Sequence, residues 1–530
     1  MKIRISFSQE VREVLLWCLP ALLVGLALRV AMEISLPYGY IAFDTADFLL
    51  TPFKFLTKHH YVIHPKKAFL SPLFFTIPFL LHIPALIFIP TAQHLMALLE
   101  VVLAGALIRL WFPFWRWIIL PATLLIAAYP WQLWYEQTLM GEANYVFFLF
   151  LVALTGTWWA ARPNGWRLAA FALTLFLISG TRAEGKLILL YGAALVPLVY
   201  WRHWKMMALG LASLAGVVIA ANRSGGGGDH AYSLLYATLF RLTPDELRCE
   251  PGLTPYLIPL RDQVRQEGEY STGLVALAKE INARVAAYQH DKQGVATFDR
   301  VKVADMDRKL CIEVLTRDPL AIPIIPLIKF RLASDAWPSG SRFDETALHP
   351  VQIKAVERLS GTDAMSGGLI GRKLDKAGWA TFINTEYDPA KIAWFDQYQD
   401  AWARCLVALR LPDRHLTYQR SVHDFISTIP HPYWFEPGVP IYFLLAFAGM
   451  AASFFIPTPL RRVQAAWIGT MLFTWYCATM VGVTNARFRF GYEPFCYIYA
   501  IAAIVFVIAG IRRLISRPRA VDDKLPAPST

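Results

Sequence analysis

Apolar residues in this chain come in long runs, set apart by short clusters of charge. A bilayer-crossing helix needs about 20 mostly apolar residues. Ten stretches meet that pattern, at 13–34, 92–111, 116–131, 141–161, 166–181, 185–202, 205–222, 438–457, 463–483 and 493–512. An eleventh, 68–91, carries Pro72, Pro78, Pro84 and Pro90, with His82 in its middle. Prolines that frequent interrupt helix hydrogen bonding, so this stretch is expected to be broken, interfacial or re-entrant rather than a straight span.

Orientation follows from Lys and Arg, which collect on cytoplasmic loops. With the N-terminal Lys2, Arg4 and Arg12 inside and 68–91 not crossing, Arg109, Arg116, Arg162, Arg167, Arg202, Lys205, Arg461, Arg462 and the basic tail from Arg512 all fall inside. If 68–91 crossed, every later loop would flip. The expected fold is therefore mostly α: a polytopic membrane protein of about ten transmembrane helices with both ends inside. A first external loop, 35–91, carries juxtamembrane helices, and a large external segment, 223–437, lies between spans 7 and 8. This divides the chain into a transmembrane core (1–222), the external segment (223–437), and C-terminal helices with a cytoplasmic tail (438–530). Gly225 to Gly228 lack the Lys-Ser/Thr of a P-loop and read as a flexible linker. The first span has no small-residue cleavage site and reads as a retained anchor.

Composition agrees with the pattern. Of 530 residues, 56% are hydrophobic and 17% charged, against roughly 45–50% and 25% in ordinary soluble domains. A soluble enzyme, a disordered chain and a disulfide scaffold are all excluded. The net charge of +12 first suggests nucleic acid, but most of it is the inward basic loops, so no nucleic-acid partner is expected. No clustered Cys/His zinc pattern appears.

The informative charges are those left on the outer side, where topology does not require them. Asp44 and Asp47 follow the first span; spaced by three, they would share a helix face. Asp44 reads as a general base or metal-binding carboxylate, or as a solvated loop residue, and Asp47 equally as a helix cap. Lys66 and Lys67 could hold a phosphate as point charges, or snorkel to headgroups. Glu136 and Glu142 flank the start of a span, where a helix N-terminus favours an acidic residue anyway. In Thr181-Arg182-Ala183-Glu184-Gly185-Lys186 the hairpin is so tight that Arg182 and Glu184 each need a partner, Glu184 or Glu142 serving Arg182. Arg487-Phe488-Arg489-Phe490-Gly491-Tyr492-Glu493-Pro494 puts two guanidinium groups on one face if extended, suited to bidentate phosphate binding. An aromatic belt is the alternative. Arg29 either joins these arginines or snorkels.

In order along the chain, these motifs resemble the GT-C superfamily of membrane glycosyltransferases, which includes protein O-mannosyltransferases and lipid A aminoarabinose transferases. The landmarks are Arg29 followed by Asp44, the basic-proline stretch His64 to Leu73, Pro130 with Glu142, the Thr181 to Glu184 hairpin, and Arg487 to Pro494. Asp44 and Asp47 are not an adjacent acidic pair, His64-Pro65-Lys66-Lys67 is not Lys-Pro-Pro, and the absence of a Trp-Trp-Asp-x-Gly motif argues against oligosaccharyltransferase. The resemblance implies an inverting transfer of a sugar from a polyprenyl-phosphate carrier to an envelope glycan, lipid or protein at the outer face of the membrane. In it Asp44 is the base. Asp47, Lys66, Lys67, Glu142, Arg182, Glu184, Arg487, Arg489 and Tyr492 bind substrate. No cofactor is required, although the scheme accommodates a divalent metal at Asp44. The implied location is a bacterial inner membrane with the site facing the periplasm. An O-antigen ligase or polymerase is the rival enzyme reading, and a transporter the non-enzyme one. The transporter reading is weakened by the absence of a visible half-repeat.

Overall fold

The computed structural model describes residues 7–35, 48, 68–81, 85–223, 247–267, 283–285, 287–291, 300–317, 319–320, 441–455, 458, 460–481 and 490–515. These are mostly helical, and no strand element occurs among them. Helix α1 runs Phe7–Ser35, α2 Leu70–Leu80 and α3 Ala85–Trp111. A 3-10 turn, Arg116–Ile118, leads into α4, Ile119–Ala127, followed by the short α5, Pro130–Gln137. Then come α6 Glu142–Ala161, α7 Gly165–Ser179, α8 Leu189–Tyr200 and α9 Trp204–Arg223. Between positions 223 and 437 lie α10, Thr254–Glu267, and α11, Arg300–Arg317. The last three are α12 Ile441–Ser453, α13 Arg461–Val481 and α14 Glu493–Ile515.

Each of the ten apolar stretches carries a helix. Among the described residues, five helical stretches are long and apolar enough to cross a membrane: Gln9–Glu33, Phe88–Trp111, Glu142–Ala161, Trp204–Asn222 and Glu493–Arg512. Arg116–Ala127, Gly165–Ser179 and Tyr442–Ser453 are shorter apolar helices. The chain reads as an integral membrane protein, with α1 and α9 exposing most of their apolar surface and α6 the most enclosed. Leu16, Leu19, Leu23 and Leu26 of α1 form an exposed apolar face, as lipid solvation requires.

Two sequence boundaries change. The stretch 68–91 is not one element: α2 occupies its first half, and its end already belongs to α3, which keeps Pro90 inside. A single proline removes one backbone bond, which neighbouring helices in a bundle tolerate. The stretch 116–131 closes at Ala127, and Pro130 opens a separate helix, where a missing N–H costs nothing.

The ends of the helices are tied by charge. Glu13 of α1 accepts from Arg116 at 2.6 Å and from Arg109 at 3.4 Å, joining one end of α1 to α3 and the turn before α4. At the far end of α1, Arg29 is 2% exposed and meets Glu136 of α5 at 2.6 Å. Asn164 caps α7 by accepting from the Arg167 amide at 2.8 Å. Helices α12 and α14 pack most closely where Gly449 faces the Tyr499 carbonyl.

Candidate functional site

Three of the motifs singled out in the sequence converge. The start of α6, the Thr181–Lys186 hairpin and the turn before α14 line one narrow cleft. Its walls are Glu142, Tyr145, Arg182, Glu184, Phe490, Gly491 and Tyr492. Each wall has a local cause. Glu142 is the first residue of α6, where the helix dipole favours a carboxylate. Gly185 turns the hairpin so tightly that a Cβ there would run into the Ile178 carbonyl. Phe490 is anchored by Tyr135, with ring centroids 4.4 Å apart, and stacks on Tyr129 at 5.8 Å.

Arg182 is the hub. It donates to Glu142 at 2.6 Å and to both Glu184 oxygens at 3.0 and 3.2 Å. Both alternatives left open by the sequence are therefore present at once. Burial works against the guanidinium charge, but the two carboxylates outweigh it and raise its pKa further. Arg182 also lies 5.9 Å from the Tyr145 ring, and Tyr145 shares a 3.1 Å hydrogen bond with Tyr492.

The first loop is fastened to this corner. The Leu70 amide donates to the Gly180 carbonyl at 2.6 Å, and the Ser71 hydroxyl to the Thr181 carbonyl at 2.9 Å. Phe48, next in sequence to Asp47, stacks on Phe75 at 5.3 Å and packs against Gly141. Of the sequence-derived candidates, Glu142, Arg182, Glu184 and Tyr492 are thus brought together. Asp44, Asp47, Lys66, Lys67, Arg487 and Arg489 lie outside the described residues.

A second polar cluster was only partly legible in the sequence, which singled out Arg29 and Glu136 but not their partners. Arg29 also donates to the Gly25 and Ala127 carbonyls at 3.0 and 3.1 Å, so it neither snorkels nor faces the cleft. His94 of α3 places one ring nitrogen 2.6 Å from Glu136 and the other 3.0 Å from the Gln137 side chain. The Gln132 amide donates to the buried Glu100 at 3.0 Å, and the Gln93 amide to the Met140 carbonyl at 2.7 Å. The cluster grips 127–140, the segment that leads into Glu142. The signal was available: His94 and Glu100 both sit inside an apolar run, where an ionisable residue needs a reason. Among the described residues, no group of three or more His, Cys, Asp or Glu is arranged to hold a metal ion.

No protein-family model and no curated protein matches the chain. Among solved structures it is similar to the archaeal oligosaccharyltransferase AglB from Archaeoglobus fulgidus in complex with an inhibitory peptide and a dolichol-phosphate. The TM-score is 0.41 at 12% identity, over 97% of this chain and 52% of that one. The apo form of the Archaeoglobus fulgidus oligosaccharyltransferase gives 0.41 at 13% identity, over 95% and 51%. The chain spans about half the length of these structures. No residue is carried across this likeness.

Proposed function

We propose that the chain is an inverting membrane glycosyltransferase that moves a sugar from a polyprenyl-phosphate carrier to an envelope glycan, lipid or protein. The supporting observation is the convergence of Glu142, Arg182, Glu184 and Tyr492, distant in sequence, on one cleft. In this reading Asp44 takes the proton of the acceptor hydroxyl as its oxygen bonds to the anomeric carbon. The bond from that carbon to the phosphate oxygen breaks, and the polyprenyl phosphate leaves with the electron pair. Because Arg182 already carries two carboxylates, the leaving phosphate falls to Arg487, Arg489, Lys66 and Lys67. Glu142 and Glu184 then face sugar hydroxyls, which a carboxylate accepts well. The site works at a bacterial inner membrane, on the periplasmic side.

The experiment is transfer from polyprenyl-phosphate sugars to envelope fractions, guided by comparing envelope glycans with and without the gene. Asp44→Asn should lower turnover by about 10²–10⁴-fold, the usual worth of a general base. Turnover near that of the parent removes Asp44 from the mechanism.

A further inference from the structure

We propose that the end of the helices opposite the cleft carries a binding site for anionic phospholipid headgroups, built from the loop between α6 and α7 and the loop between α8 and α9. The two loops lie side by side, because Trp159 at the end of α6 meets Tyr200 at the end of α8 with ring centroids 5.5 Å apart. They present Arg162, Arg167, Arg202 and Lys205. Helix α6 separates them from the cleft by about 30 Å, at 1.5 Å per residue.

Charge balance singles out this corner. From 143 to 228 the sequence holds one acidic residue, Glu184, and that one is in the cleft. Among the described residues the four cations form no ion pair, whereas Arg109 and Arg116 share Glu13. The positive charge is held in place by aromatic rings instead. Arg167 sits 4.4 Å from the Trp158 ring, Arg202 4.6 Å from Trp201 and Lys205 5.8 Å from Trp204. Arg167 additionally donates to the Arg162 carbonyl at 3.0 Å. Three exposed tryptophans frame the patch, Trp166 at 75%, Trp201 at 63% and Trp204 at 69%. Indole rings settle at headgroup depth, and fixed guanidinium groups beside them bind phosphate oxygens. A polyanion in solution would meet the same charges, but the tryptophans favour a ligand that is itself part of a lipid surface.

The test places the purified full chain in vesicles of equal phosphatidylglycerol and phosphatidylcholine, re-extracts it, and measures the lipid that stays bound. The expected result is a several-fold enrichment of phosphatidylglycerol that collapses at high salt and falls to the bulk ratio in Arg162→Gln/Arg167→Gln/Arg202→Gln/Lys205→Gln. Arg162→Lys/Arg167→Lys/Arg202→Lys should keep it, and so should Arg116→Gln. If the fourfold variant does not elute as a single folded species, Arg162→Gln/Arg202→Gln carries the test, with an intermediate enrichment expected. No enrichment in the parent chain, equal enrichment in the neutralised variants, or its loss in the lysine variant overturns the proposal.

Discussion

Arg29 gives up its hydration inside the helical core and replaces it with the Glu136 carboxylate and two helix carbonyls. Such a pair contributes little compared with apolar residues of the same shape, yet removing one member strands the other. Arg29→Met should therefore cost about 3–5 kcal/mol of stability, and adding Glu136→Gln should restore much of it, as read by thermal unfolding in detergent. On α11, Glu313 accepts from the Arg248 and Cys249 amides, each at 2.7 Å. Burial opposes its charge, but these bonds and Arg317 prevail and hold its pKa below the ordinary 4.5. A lowered carboxylate pKa means stability present above pH 4.5 and lost as the pH falls through the folded value. Protection of the two amides, relative to the unstructured rate at each pH, should fall in that acid window in the parent chain. In Glu313→Gln it should be low throughout, with no step across the window.

Elements were legible where their apolar runs were long. The stretches 141–161 and 493–512 coincide with α6 and α14 to within a few residues, because an acidic residue in the first turn marks the start of each. The stretch 68–91 is broken, as its prolines implied: it is divided between α2 and the start of α3, although Pro90 itself falls inside α3. The contact between α12 and α14 depends on Gly449, where a side chain would strike the Tyr499 carbonyl. Backbone cannot retreat as a side chain can, so Gly449→Val should cost about 1–3 kcal/mol, measured as a lowered unfolding temperature. Gly469, with open space around it, should accept Ala at no such penalty.

At the scale of the molecule, the cleft and the basic patch occupy opposite ends of α6. Of cysteines introduced at Lys186 and Asn164, one should therefore react with an impermeant maleimide in intact cells and the other only after permeabilisation. Labelling of both in intact cells would reject the crossing of α7. The candidate site was half legible. Glu142, Arg182, Glu184 and Tyr492 stood out because charged or aromatic groups on the outer side had no topological reason to be there. His94, Glu100 and Gln132 did not, because one polar residue per turn barely alters the hydropathy of a long run. Their partners are set by helix packing, which no local pattern encodes.

The hydrogen bond between Tyr145 and Tyr492 spans 347 positions. Synthesis at roughly 5–20 residues per second leaves Tyr145 in the membrane for tens of seconds before its partner is made. Arg182 emerges only 40 positions after Glu142, so the charged floor of the cleft is neutralised early, and its last wall closes only when the final helix inserts. A nascent chain thus passes through a long interval with a formed ion pair and an open cleft, and chains released before Phe490 would keep that cleft permanently unwalled.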